Sequence, residues 1–184
     1  MGVRSRRRRA RRARLVSLLL PLLGAVTRWV RSLPPRSAHR LGRLIGRLLE
    51  LTGATRTTIR RNLLVACGRP VRGLRAKQFE RRYYEHLGLL VVEVLRQPLI
   101  TGRNADRFFA AGDDRARVRA LYDEGQGLIC VAGHAGNWEL AGHVAGLVGL
   151  PLTSVAKLSG HPGLDAWVTG TRESAGQRIL DVRG

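Results

Sequence analysis

Apolar positions recur along most of this chain at helical spacing, and the pattern changes to short apolar runs only past residue 126. An uncharged stretch, "LVSLLLPLLGAVT" (15–27), comes first. "LPP" (33–35) predicts a stop to the helix it starts, and "RSAHRLGRLIGRLLEL" follows. At 100° per residue, Leu41, Leu44, Ile45, Leu48 and Leu49 fall within about 300° to 80°, and Arg36, Arg40, Arg43 and Arg47 within about 200° to 260°. A helix over 55–67 is predicted to end at Gly68 and Pro70. A long one over 73–96 carries Leu74, Phe79, Tyr83, Leu87, Leu90, Val91, Val94 and Leu95 as its apolar face. A turn-rich connection (97–114) and a short helix (115–124) closed by Gly125 complete the helical part. Then "GLICVA" (127–132) reads as a buried parallel strand and "NWELAGHVAGLVG" (137–149) as a helix. "LTSVA" (152–156) is a second strand, "HPGLDAWVTGTRESAG" (161–176) contains another helix, and "RILDV" (178–182) is a third strand. This β-α-β-α-β order predicts an α/β fold with a mostly parallel sheet and flanking helices. Three strands leave open edges, an uncomfortable end for a complete α/β domain.

Charge divides the chain further. The net +20 is not spread evenly: residues 1–82 hold 23 Arg/Lys against two acids, and residues 83–184 hold 10 against 11. Eight arginines fall within "RSRRRRARRAR" (4–14), just ahead of the uncharged run. Thirteen uncharged residues are fewer than the roughly 20 of a full span, and suit an interfacial or re-entrant segment. Flanking arginines resist translocation, so the expectation is retention on the cytoplasmic face of the inner (plasma) membrane, with residues 1–33 as basic tail and membrane-anchoring helix and 34–184 as the N-terminal part of the main domain. A signal peptide is the competing reading, but "GAVTRWV" has no clear small-x-small cleavage site. The arginine stripe of 36–47 fits a helix lying on anionic lipid, and equally a helix packed on the domain with solvated arginines. Cys67 and Cys130 have no CxxC spacing; Cys130 is expected to behave as a small buried hydrophobe, and neither suggests a zinc site.

The candidate chemistry lies in "VAGHAGNWELAG" (131–142). Functional groups of parallel α/β sheets gather at the carboxyl ends of strands, and His134 follows the first predicted strand by two residues. Gly133 and Gly136 permit a tight turn and close approach by a ligand. Asn137 is a natural N-cap, which puts Glu139 in the first helical turn. A carboxylate that accepts from one imidazole nitrogen leaves the other as a poised base, suited to activating an alcohol against a thioester or ester. Free amides at the helix start suit a developing oxyanion or a phosphate. As a bare H-x-x-x-x-E the pair carries little weight.

The surroundings add to it. "GHAGNWEL" after a strand and glycine resembles the signature of the lipid A biosynthesis (lauroyl/myristoyl) acyltransferases, within the lysophospholipid acyltransferase-like superfamily. "RNLLVACG" (61–68), "YYEHLGLLVVEVLR" (83–96) and "LDAWVTGTRESAGQRIL" (164–180) resemble neighbouring blocks of that family. The resemblance implies a glycerol-phosphate-acyltransferase-like fold with N-terminal membrane-associated helices, here truncated to its N-terminal portion, since family members continue with further strands. It implies His134 as general base, Glu139 as its partner, and Arg172, with Gly176 completing its motif, at the phosphorylated acceptor. Lys157 stands where members often carry a basic residue, and Gly136 and Asn137 belong to the substrate-binding turn. The implied reaction moves a fatty acyl group from acyl-carrier-protein to a hydroxyl of a lipid A precursor, without metal or cofactor. Acidic carrier, anionic acceptor and anionic membrane lipids all suit the basic N-terminal part.

Three other readings compete. Phosphatidylinositol mannoside acyltransferases tend to end the motif in Asp, so Glu139 favours lipid A. An arginine-rich nucleic-acid binder lacks interleaved aromatics and any zinc or RNA-binding signature, so no specific nucleic acid is expected. A metal hydrolase would use His134, Glu139 and His143, of which the last reads as a helix-surface residue.

Overall fold

The computed structural model describes residues 18, 21–108, 114–133 and 135–182. The arginine run at 4–14 and His134 lie outside the described residues. Residues 21–32 are helical (α1). There follow α2 (Pro35–Thr52), α3 (Arg56–Cys67), α4 (Gly73–Arg96), α5 (Asp114–Asp123), α6 (Trp138–Leu147), β1 (Thr153–Ala156), α7 (Pro162–Glu173) and β2 (Arg178–Asp181). Two 3-10 turns, Gln97–Leu99 and Ala105–Phe108, lie in the connection after α4. The protein is mostly helical with a small parallel sheet, and the chain divides into two compact units, residues 29–95 and the remainder.

The punctuation in the sequence sets the helix ends. Pro35 occupies the first position of α2, where its missing N–H costs nothing. Gly68 takes the left-handed conformation (φ 65°) that ends α3, and α4 starts at Gly73 as its pattern predicts.

Which faces are buried differs from the pattern. In the 29–95 unit, α2 buries Ala38, Gly42 and Gly46, and α4 buries Ala76, Glu80, Tyr84, Gly88, Val92 and Leu95. A Cβ on Gly88 would collide with the Gly42 carbonyl and the Gly46 amide, and one on Gly42 would lie 2.9 Å from the Leu89 Cα. The two helices therefore meet backbone to backbone, and the contact strip belongs to small residues. Leu44, Leu48 and Leu51 of α2 remain 53%, 55% and 81% exposed beside the exposed arginines 36, 40, 43 and 47. Leu74, Phe79, Tyr83 and Val91 of α4 are exposed as well. The expected apolar faces are thus only partly buried: Leu41, Ile45 and Leu49 of α2 and Leu87, Leu90 and Val94 of α4 are half-buried and Leu95 is buried, while the closest contact falls on the glycines.

Charge and hydrogen bonds fasten the same unit. Buried Glu80 takes the Arg60 Nε at 2.5 Å and the Arg56 Nε at 3.4 Å, which compensates its desolvation. The buried Tyr84 hydroxyl donates to the Ala54 carbonyl. Glu85 faces Arg43, Arg47 and Arg81 at 3.3–3.8 Å. Burial pushes its carboxyl up, but the Arg81 hydrogen bond and the charges of Arg43, Arg81 and Arg47 outweigh that and hold it below its ordinary value.

In the other unit, β1 and β2 pair in parallel with Ser154 opposite Ile179 and Val155 opposite Leu180. Alternate residues are half-buried and exposed, so only one face of this sheet is covered; Val155 and Leu180 point to the open one. Gly146 of α6 lies against the Ala175 carbonyl so closely that no side chain fits there. The Gln177 amide covers Gly142 and accepts from the Ser154 hydroxyl at 3.2 Å, which fixes α6 over the half-covered face.

The first predicted strand does not form. Residues 127–133 are irregular, with Ile129 and Val131 91% and 94% exposed. A buried parallel strand needs a ladder partner and two covering layers, and among the described residues this segment has no ladder partner. Cys130 is correspondingly exposed rather than buried, as is Cys67. Among the described residues no helix is long and apolar enough to cross a membrane.

Candidate active site

The turn before α6 is built as its residue types require. Gly136 has φ +62°, a conformation that side chains resist. Asn137 caps α6, its Oδ1 accepting from the Leu140 amide at 2.9 Å. Glu139 follows in the first turn, where the helix dipole favours a carboxylate.

Glu139 is fastened from two sides. The Gln97 side-chain amide donates to its backbone carbonyl at 3.1 Å. Arg172, in the last turn of α7, grips its carboxylate with both arms of the fork: Nε donates to Oε2 at 2.9 Å and a terminal nitrogen to Oε1 at 2.6 Å. Both side chains are about one-fifth exposed, at 20% and 19%. The hydrogen bond it donates to Glu139 raises the proton affinity of the Arg172 guanidinium, burial lowers it, and the carboxylate charge raises it again; the net shift is upward.

Of the residues singled out in the sequence, the structure thus brings Glu139 and Arg172 together and places Gly136 and Asn137 directly before them. Lys157 is exposed, one residue past the carboxyl end of β1. Gly176 adopts φ +86° in the turn between α7 and β2. His143, expected on the helix surface, is buried at 1% exposure, with its Nε2 3.1 Å from the Ile100 carbonyl. That contact requires a proton on Nε2. Its Nδ1 is buried without a hydrogen-bond partner among the described residues. His143 is a packing residue of α6. Among the described residues no three metal-ligating side chains cluster. The sequence reading missed Gln97, also 1% exposed; in a turn-rich connection nothing local marks it as the anchor of a residue 42 positions away.

The glycine turn, the capped start of α6 and the Glu139–Arg172 pair lie in the unit that carries the parallel β1–α7–β2 arrangement, and comparison with protein families gives the class as an acyltransferase. The chain belongs to the bacterial lipid A biosynthesis acyltransferase family, whose model matches residues 6–184. Comparison with the curated proteins and with the solved structures gives no match.

Proposed function

We propose that the protein transfers a fatty acyl group from acyl-carrier-protein to a hydroxyl of a lipid A precursor, with His134 as general base and Glu139 as its partner. The observation that carries this is the family match over residues 6–184, joined to the position of Glu139 in the capped first turn of α6, five residues after His134. In the reaction, His134 takes the proton of the acceptor hydroxyl as its oxygen attacks the thioester carbonyl. The carbon–sulfur bond then breaks, and the imidazolium returns the proton to the leaving thiolate. The chemistry asks for no cofactor and no metal. Gly136 and Asn137 shape the turn that admits the substrate. Lys157 and the arginine-rich helices supply positive charge for an anionic acceptor and an acidic carrier.

The work is done at the cytoplasmic face of the inner membrane. The exposed leucines of α2, with arginines alongside, support that placement, since such a face gains from both apolar burial and anionic headgroups.

His134→Ala tests the mechanism in an assay of transfer from acyl-carrier-protein thioester to the lipid acceptor. Loss of the base should lower the rate by about 10²–10⁴-fold with circular dichroism unchanged. Undiminished transfer would remove His134 from the chemistry.

A further inference from the structure

We propose that Arg172 is a positioning residue: it holds the Glu139 carboxylate in the orientation that lets this carboxylate steer the general base, and this, rather than direct contact with the acceptor, is its main task. The inference rests on the reading of Glu139 as the partner of His134.

The geometry argues for it in three ways. A glutamate's terminal torsion is broad and soft, so a free carboxylate would sample many orientations. Here the guanidinium fork takes both oxygens, at 2.9 and 2.6 Å, and fixes the plane of the carboxylate. Each oxygen keeps a second lone-pair site, so the pairing leaves room for an imidazole N–H.

The main chain beneath is fixed as well. Gln97 holds the Glu139 carbonyl and Asn137 caps the turn, so once Arg172 sets the side chain the carboxylate has little freedom left. Thirdly, the guanidinium is suited to a constant grip. It sits in the last turn of α7, where the helix dipole favours a cation, and it is held charged by the carboxylate it grips. An arginine whose first duty was to a phosphate would be expected to present its fork outward; this fork is occupied by Glu139, 33 residues away.

A kinetic cycle on the full chain decides the matter: Arg172→Gln, Glu139→Gln, the double variant, Arg172→Lys and His134→Ala, each read as kcat and as KM for the lipid acceptor. A positioning role predicts that Arg172→Gln lowers kcat by about 10–100-fold, the scale seen when an orienting partner is removed, with acceptor KM within about twofold. It also predicts that Arg172→Gln costs almost nothing further once Glu139 is Gln. Arg172→Lys keeps the charge but loses the fork, and should fall between wild type and Arg172→Gln. It also guards against the case in which Arg172→Gln fails to fold. A raised acceptor KM with kcat retained, or full additivity with Glu139→Gln, would overturn the proposal while the general-base reading stands. Transfer that survives His134→Ala overturns both, and is told apart by that variant alone.

Discussion

Replacing Gly88 by Ala tests the backbone-to-backbone crossing of α2 and α4. A methyl there would lie 2.8 Å from the Gly46 Cα and closer still to the Gly42 carbonyl and Gly46 amide. Unstrained carbon contacts sit near ~3.5–4.0 Å, so α2 must move out by roughly 1 Å. No rotamer change relieves this, because the obstacles are main-chain atoms. Overpacking of this kind costs about 1–3 kcal/mol, and the rigid obstacle argues for the upper end. Alanine returns about 1 kcal/mol of helix propensity, which leaves a net loss of about 2 kcal/mol. For a chain of this size that is a fall of roughly 4–8 °C in melting temperature. Gly170, within α7, is the control: nothing lies within 4 Å of its would-be Cβ, so Gly170→Ala should stabilise by up to about 1 kcal/mol. Thermal melts at 222 nm, with hydrogen exchange to assign the change to α2 and α4, read both variants. If Gly88→Ala stabilised as Gly170→Ala does, the close crossing would be wrong.

Two further predictions concern the same helices. The Glu85 carboxyl is held below its ordinary value of 4.5, so the stability it contributes is present above that value and lost as pH falls through the lower folded one. Glu85→Gln should therefore lower the urea midpoint at neutral pH and flatten its decline on acidification; parallel pH curves for variant and wild type would refute this. Leu48→Ser with Leu51→Ser should weaken sedimentation with anionic phospholipid vesicles by about tenfold or more, given ~1.5–3 kcal/mol for burying a leucine side chain. Binding that stays at the wild-type level would show that α2 does not face lipid.

Helix ends were legible in the sequence because they depend on local chemistry. Gly68, Pro35 and Asn137 each satisfy or spare orphaned backbone groups within a turn of themselves, and each stands where the sequence places it. Buried faces were not legible to the same degree. Gly42, Gly46 and Gly88 form the closest α2–α4 contact, yet glycine adds nothing to a hydrophobic pattern, so the pattern marks the half-buried leucines and not the residues at the centre of the crossing. The two strands that formed, 153–156 and 178–181, are joined by α7 and pair with each other. The segment 127–132 has as strong an apolar signal as either, but a strand is defined by a partner, and partners are not a local property. At the site, the Asn137 cap and the place of Glu139 followed from neighbours in the sequence. The Arg172 fork on Glu139 did not, because it joins side chains 33 residues apart on separate helices.

The exposed segment 127–132 bears on how the protein must be handled. Leu128, Ile129 and Val131 present an uncharged, β-prone surface, and the outer strand face adds Val155 and Leu180. Such a stretch is a template for strand addition between molecules, and stacked copies would form cross-β assemblies. Concentrated solutions of this chain are therefore expected to scatter light more than those of an Ile129→Lys variant, and the exposed Cys130 thiol offers neighbours a disulfide under oxidising conditions. Dilute, reducing preparations that hold this one segment apart are the conditions under which its chemistry can be measured.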